Sequence, residues 1–337
     1  MKKTLTLAFA LALALALAVS GFAQEPVLCF SESADFKIAQ FTDIHLKATA
    51  AKEAAKTFAR MDNIVATEHP DLITITGDVV VARENARQMW TEVISRLDSY
   101  RIPWCVVYGN HDAEQDIPRP EMSAMIAARK YSINTLNPQG ELADIRVPVL
   151  SSLTSNLSTL TLYFLDSHDY STDPRIDGYG WLTREQIEWY RDAAKHDHDN
   201  SSDNAFSLAF FHIPLPEYRE AWTKADSHHH DWKKGIRGED ECSPQINTGM
   251  FSAMEESKTM LGVFCGHDHD NDYLVSHCGI ALAYGRYSGD NTVYNHLRHG
   301  VRIISVHEGE RAFTTWIHED DGTLQYKLRY KDGKIEK

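Results

Sequence analysis

The sequence predicts an α/β fold built around a buried, largely parallel sheet. Three observations carry that reading. Short strand-like runs alternate with helical stretches over the first third of the chain, the runs are apolar almost throughout, and each stops at a glycine or a polar turn. Taken in order, Phe36–Phe41 reads as a strand running into Thr42-Asp43-Ile44-His45. Ala50–Glu68 has helical composition, rich in Ala and Lys, and ends before Pro70. Leu72–Thr76 is a second strand, rich in β-branched residues and halted by Gly77. Ala86–Tyr100 is a second helix, and Trp104–Tyr108 a third strand halted by Gly109.

Beyond that point the pattern loosens. Thr159–Leu165 and Phe206–Phe211 read as strands around an amphipathic helix at Thr183–Lys195. Lys195–Asn204, with its His-x-His, reads as a solvated surface loop. Pro214–Thr248 is a long irregular stretch of the kind that usually serves a site, and its His228-His229-His230 reads as an exposed polar loop. Strands return at Leu261–Cys265, Tyr273–Val275, Ile280–Tyr284, Val301–Val306 and Ala312–Ile317. No internal repeat or linker divides the chain.

Residues 1–23 read as a bacterial Sec-type signal peptide. Lys2-Lys3 precedes the Leu/Ala run from Leu5 to Val19, and Gly21-Phe22-Ala23 offers small residues for cleavage before Gln24. The run is short for a bilayer span and no charged stop follows it. The expectation is an exported, periplasmic or secreted chain, with no membrane span after cleavage and a single domain at 24–337. The formal charge is −14, and −16 once Lys2 and Lys3 are removed. That sign disfavours nucleic acid and anionic membranes as partners. Five cysteines, an odd number without any Cys-x-x-Cys, exclude a disulfide scaffold and a thiolate zinc site.

Metal-capable side chains cluster where strands end, and in open α/β sheets ligands gather at strand carboxyl ends. Asp43 and His45 close the first strand, Asp78 follows the second, and Asn110, His111 and Asp112 follow the third. His212 ends the strand at Phe206–Phe211, and His267 and His269 follow Cys265-Gly266. Singly, each fragment is a turn or a core histidine; five in this order, each at a strand terminus, point to one metal site.

The fragments FTDIH (41–45), TGDVV (76–80), YGNHD (108–112), FFHIP (210–214) and CGHDH (265–269) resemble the motif set of the calcineurin-like metallophosphoesterase superfamily. The resemblance implies a four-layer αββα sandwich of two mixed sheets flanked by helices. It implies that Asp78 bridges two metal ions, with Asp43, His45 and His269 completing one ligand set and Asn110, His212 and His267 the other. It makes His111 the residue that faces substrate, with Asp112 orienting it. Such mixed nitrogen and oxygen donors suit Mn, Fe, Zn or Co. The activity implied is hydrolysis of a phosphate mono- or diester, by in-line attack of metal-bound hydroxide on a small phosphoester substrate.

The flanking words YFLDSHDYS (163–171), GYGWLTREQIEWY (178–190), CSPQINTGMF (242–251) and AYGRYSG (283–289) resemble the purple-acid-phosphatase-related, Dcr2-type branch. Purple enzymes carry a metal-bound tyrosine three residues after the bridging aspartate; Val81 stands there in this chain. Asn247 and Arg286 are candidate phosphate contacts. A metal-dependent nuclease and a catalytically silent metal-binding scaffold are the alternative functions. Within GHDHDND (266–272), the two histidines are the expected ligands, Asp268 is expected to point away, and Asp270 and Asp272 to be solvated.

Overall fold

The computed structural model describes residues 26–154, 158–200 and 204–336. The expected signal peptide at 1–23 lies outside the described residues, as do 201–203 of the expected surface loop. Among the described residues no helix is long and apolar enough to cross a membrane.

The amino-terminal half runs β1 (Leu28–Cys29), β2 (Asp35–Phe41), α1 (Ala51–Glu68), β3 (Leu72–Thr76), α2 (Ala86–Ser99), β4 (Trp104–Val107), α3 (Arg119–Ala127), β5 (Ile145–Leu150) and β6 (Ser158–Phe164). It continues through α4 (Arg184–Asn200), β7 (Phe206–Phe210), α5 (Glu217–His228), β8 (Lys233–Lys234), α6 (Met250–Ser257) and β9 (Met260–Cys265). Six strands close the chain: β10 (Leu274–His277), β11 (Ile280–Tyr284), β12 (Gly300–His307), β13 (Ala312–Glu319), β14 (Leu324–Lys331) and β15 (Lys334–Ile335).

These strands form two mixed sheets, ordered β15-β14-β13-β12-β2-β3-β4 and β1-β5-β6-β7-β9-β11-β10-β8. Each has a parallel heart, β2-β3-β4 in one and β6-β7-β9-β11 in the other, with antiparallel strands outside it. Helical crossovers explain these parallel pairs except β9-β11, which is joined through β10, because a parallel return needs a long connection.

Alternation along the strands builds three apolar layers. Phe36 and Ile38 of β2, Cys105 and Val107 of β4, and Phe206, Leu208 and Phe210 of β7 face the space between the sheets. Their neighbours Ala39, Phe41, Trp104 and Val106 face outward, under Met61, Ile64, Trp90, Val93 and Leu97 of α1 and α2. On the other sheet Ala209, Val263 and Cys265 face outward, under Tyr190, Tyr218 and Met254 of α4 to α6. Both faces of the central strands are therefore buried, which is why those strands are apolar on successive residues. Phe164, Phe210 and Phe264 stack across β6, β7 and β9 at centroid spacings of 5.2 and 5.3 Å, and Phe313 of the opposite sheet meets Phe264 edge-on at 5.6 Å. This ladder fixes strand register and sheet spacing together.

Several local expectations are corrected. The helix expected to end at Lys195 continues to Asn200, so the His196–His198 segment is helical rather than a loop. Pro214–Thr248 contains α5 and the edge strand β8, and His229 stacks on Trp232 at 3.8 Å. Pairing with β6 and β13 organises β5 and β14, whose own alternation is weak. All five cysteines are free.

Glu68 ties α1 to two interior strands of its sheet, β13 and β2. Its carboxylate accepts from Trp316 Nε1 at 3.1 Å, His318 Nδ1 at 2.6 Å and Lys37 Nζ at 3.2 Å. Burial pushes this carboxyl up, but the donors Trp316, His318 and Lys37 outweigh it, leaving it below its ordinary 4.5. A depressed carboxyl stabilises the fold above its unfolded pKa, and the contribution fades as pH falls through the folded value. Glu68→Gln should therefore cost about 1–3 kcal/mol at neutral pH. In denaturant titrations its difference from wild type should shrink steadily below the ordinary value of 4.5.

Candidate metal centre

The parallel hearts of the two sheets bring their carboxyl ends to one place. Gln40 Nε2 spans the gap, donating to Thr76 Oγ1 and to the Cys265 carbonyl, each at 3.0 Å. Asp43 and His45 leave β2, Asp78 leaves β3, and Asn110 opens a 3-10 turn (Asn110–Ala113) after β4. His212 follows β7, and His267 and His269 follow β9.

The chain bends sharply to aim these side chains. Asp43, His45, Asp78 and His267 all hold left-handed backbone conformations, with φ of 51°, 46°, 51° and 78°. Such conformations are unfavourable for residues with a Cβ and persist where the surroundings over-determine them. Close approach of neighbouring loops supplies that constraint. A Cβ on Gly109 would lie 2.2 Å from Asp78 Oδ1, and one on Gly77, itself at φ 85°, would lie 2.4 Å from His212 Nδ1.

Two ligand groups result, and they share Asp78. Asp43, His45, Asp78 and His269 form one group and Asp78, His212 and His267 the other, with the atoms of each within 4.8 Å of one another. His45 Nε2 and His212 Nε2 approach Asp78 Oδ2 at 3.4 and 3.3 Å, and His269 Nε2 lies 3.3 Å from Asp43 Oδ1. His267 Nδ1 faces His212 Nε2 at 3.2 Å.

Main-chain carbonyls fix two of the tautomers. His212 Nδ1 donates to Thr76 O at 2.8 Å and His269 Nδ1 to Val293 O at 2.5 Å, so each ring turns its Nε2 inward. Asn110 Nδ2 donates to the Tyr170 hydroxyl at 3.1 Å, which leaves its buried Oδ1 without a partner. Thr42 Oγ1 lies 2.7 Å from Asp43 Oδ2.

The electrostatics call for cations. Burial pushes the carboxyls of Asp43 and Asp78 up, but the imidazoles outweigh it. Asp43 falls to about 2 through His269, and Asp78 well below its usual range through His212 and His45. Burial pushes His212 and His269 down, yet the charges of Asp78 and Asp43 carry them up to about 10 and about 9. His267 goes the other way, held down at about 3 by burial and by the charge on His212. The imidazole protons balance the two buried anions, and a metal ion would take their place at Nε2. Asn110 Oδ1, His45 Nε2, His267 Nε2 and His269 Nε2 are buried and have no hydrogen-bond partner. Buried polar atoms of this kind are rare without a ligand, and these donor types fit two transition-metal ions.

Six of the seven expected ligands thus converge, the seventh, Asn110, holds a buried Oδ1 one residue before His111, and the His111 ring centroid lies 5.6 Å from that of His45. Its backbone N–H donates to Asp78 Oδ1 at 3.0 Å. Asp112 is a correction: its carboxylate accepts from the backbone N–H groups of Val79 at 3.1 Å, Val80 at 3.1 Å and Gly109 at 2.9 Å, not from His111. In a 3-10 turn residues three apart eclipse while adjacent ones diverge, so Glu114 is the residue that shares a side with His111. Burial and the charge of Asp78 push Asp112 up to about 7 against its three backbone donors.

Arg286 is also corrected. It is 1% exposed, and it is held by Asp272, by Glu319 Oε1 at 3.1 Å and by the Arg298 carbonyl, so it does not reach the cluster as a phosphate contact. Asn247 donates to Glu217 at 2.7 Å and accepts from Gly249 N at 3.0 Å at the start of α6. Asp268 points away from the ligands, toward Cys242 N and the Tyr284 hydroxyl. Asp270 and Asp272 are buried rather than solvated, Asp272 against Arg286 and Ile236 N, and Asp270 against His296. Sequence reasoning missed Thr42, Glu114, Tyr170 and the Val293 carbonyl; only Glu114, three residues after His111, carried a readable signal.

A family model described as calcineurin-like phosphoesterase matches residues 36–271. The chain is 30% identical over 295 residues to an Arabidopsis thaliana protein named probable inactive purple acid phosphatase 29, covering 78% of this chain and 74% of that one. It is 28% identical over 316 residues to phosphatase DCR2 of Saccharomyces cerevisiae, covering 85% of this chain and 54% of the yeast protein, about half of its length. Among solved structures, a dimetal phosphatase from Danio rerio superposes with a TM-score of 0.59 at 13% identity, over 88% of this chain and 99% of that one. The last comparison is a likeness of fold.

Metal content should follow this geometry. Wild type incubated with Mn²⁺ and desalted should retain about two ions per chain by plasma mass spectrometry, the number that one shared carboxylate between two ligand groups accommodates. Asp78→Asn should lose most of both. Gly109→Ala should lose at least one while keeping the wild-type far-ultraviolet circular dichroism; full retention in both variants would contradict the shared site.

Proposed function

The chain belongs to the calcineurin-like phosphoesterase family, and on that premise we propose that it is a dinuclear-metal hydrolase of small phosphate esters. The observation that carries the proposal is the position of Asp78. One carboxylate serves both ligand groups, and the same carboxylate accepts the backbone N–H of His111. Bound in these groups, two ions would supply Lewis acidity toward a phosphoryl oxygen and make water more acidic.

The residues then divide the remaining work. A cavity of about 540 Å³ opens beside the cluster, lined in part by His45, Lys47, Arg83, His111 and Asn291. Lys47 is half-buried in its wall and forms no ion pair among the described residues, which leaves its ammonium free for an anionic ester. The His111 ring stands between cluster and cavity, where an imidazolium can stabilise an equatorial phosphoryl oxygen or give its proton to the departing alkoxide. Val81 lines the same cavity, so no phenolate is available at that position and no purple charge-transfer colour is expected.

The complete ligand set favours catalysis over a silent scaffold, although relatives carry the word inactive in their names. The charge of −14 weighs against a nuclease. Export to the periplasm or medium remains our reading of residues 1–23, and Mn, Fe, Zn or Co our reading of the donor set.

Protein loaded separately with Mn, Zn and Fe should hydrolyse p-nitrophenyl phosphate or its bis-ester; no turnover of either with any metal overturns the proposal. His111→Ala should lower kcat by about 10²–10⁴-fold. That variant should keep its bound metal, whereas His212→Ala should lose metal and activity together.

A further inference from the structure

Glu114 and Tyr170 form a chain of polar contacts that runs from a candidate metal ligand, Asn110, to His111. The Asn110 Nδ2 donates to the Tyr170 hydroxyl at 3.1 Å, and that hydroxyl donates to Glu114 Oε1 at 2.7 Å. The second oxygen of the same carboxylate, Oε2, lies 3.2 Å from His111 Nδ1, at ion-pair distance though off hydrogen-bond alignment, with Arg83 Nη2 farther out at 3.8 Å. His111 Nδ1 has no other partner.

The tyrosine comes from a separate segment that folds across the cluster. Tyr170 and Tyr179 are joined by an antiparallel bridge, and their rings stack at 5.8 Å. Tyr179 then meets the His267 ring edge-on at 4.4 Å. One hairpin therefore touches Asn110 through Tyr170 and, through Tyr179, His267 of the group that contains His212.

The chemistry of each link is directional. An asparagine amide can present either oxygen or nitrogen, and only the oxygen can bind a cation. Because the tyrosine hydroxyl gives its proton to Glu114, it is left as an acceptor and selects the Nδ2 end of Asn110. A carboxylate beside Nδ1 likewise holds the N–H there and leaves Nε2 to face the cavity.

We propose that Glu114 and Tyr170 are positioning residues. Glu114 orients His111 toward substrate, and through the Tyr170 hydroxyl the same carboxylate fixes the amide of Asn110 with its oxygen toward the metal site on the His212 side. The His111 half rests on the phosphoesterase reading; the Asn110 half does not.

Two measurements on the full chain separate the halves. In Mn²⁺ titrations followed by calorimetry, Tyr170→Phe should weaken one of the two sites by about 10–100-fold and leave the other unchanged. Glu114→Ala should do the same, and Glu114→Gln, which keeps an oxygen for the tyrosine proton, should restore it. Unchanged affinity in Tyr170→Phe overturns the Asn110 half, whether or not the wild type hydrolyses anything. For the second half, rates on p-nitrophenyl phosphate and phenyl phosphate are compared at saturating Mn²⁺. Glu114→Ala and Glu114→Gln should both slow the poorer leaving group at least tenfold more than the better one, whereas Tyr170→Phe should keep the wild-type ratio. A wild-type ratio in both Glu114 variants overturns the His111 half. Absence of wild-type hydrolysis overturns that half together with the phosphoesterase reading, and the titration then decides the Asn110 half alone.

Discussion

Two carboxylates buried side by side, Asp43 and Asp78, are the constraint around which this protein is arranged. Each is 1% exposed, and no lysine or arginine neutralises either among the described residues. A pair of anions in such a place is unfavourable unless hydrogen bonds and positive charge surround it. The chain supplies imidazoles from both sheets and backbone N–H groups from His111 and His267. The left-handed turns at Asp43, His45, Asp78 and His267 follow from the same requirement, since a bent chain brings donors from four strand ends onto two carboxylates.

A second set of buried charges stands behind the first. Arg286 and Arg302 are each 1% exposed; Arg286 pairs with Asp272 and Glu319, and Arg302 donates to the carbonyls of Asp272 and Tyr284. This network ties the loop carrying His267 and His269 to β12 and β13 of the opposite sheet. Removing one member would strand a charge in the interior at a cost of about 3–5 kcal/mol. The arginine that resembled a phosphate contact in sequence is therefore part of the frame that holds two ligand histidines in register.

Sequence carried the ligands well because each sits where a run of apolar residues stops, and the stop is visible in one dimension. The strands at 36–41, 72–76, 104–107, 206–210 and 260–265 were legible for the same reason: both faces are buried. Half-buried outer elements such as β14, which alternates only faintly, took shape from pairing instead. Roles that depend on where a side chain turns were less legible. Asp112 beside His111 suggested a dyad, but a 3-10 turn sends neighbours apart and residues three apart together. Asp270 and Asp272 lie in so polar a stretch that solvation was the natural reading, and distant Arg286 and His296 changed it.

The bond from His269 Nδ1 to the carbonyl of Val293 has an evolutionary consequence. What holds the ring is a main-chain oxygen, and every amino acid has one. The Val293 side chain is 57% exposed and lines the cavity beside the cluster, and that of its neighbour Tyr294 is 69% exposed. Mutations at these two positions can reshape the entrance without disturbing the ring orientation behind it. Selection can thus explore new substrates on the outer side of this loop while the inner side goes on serving the same inorganic chemistry.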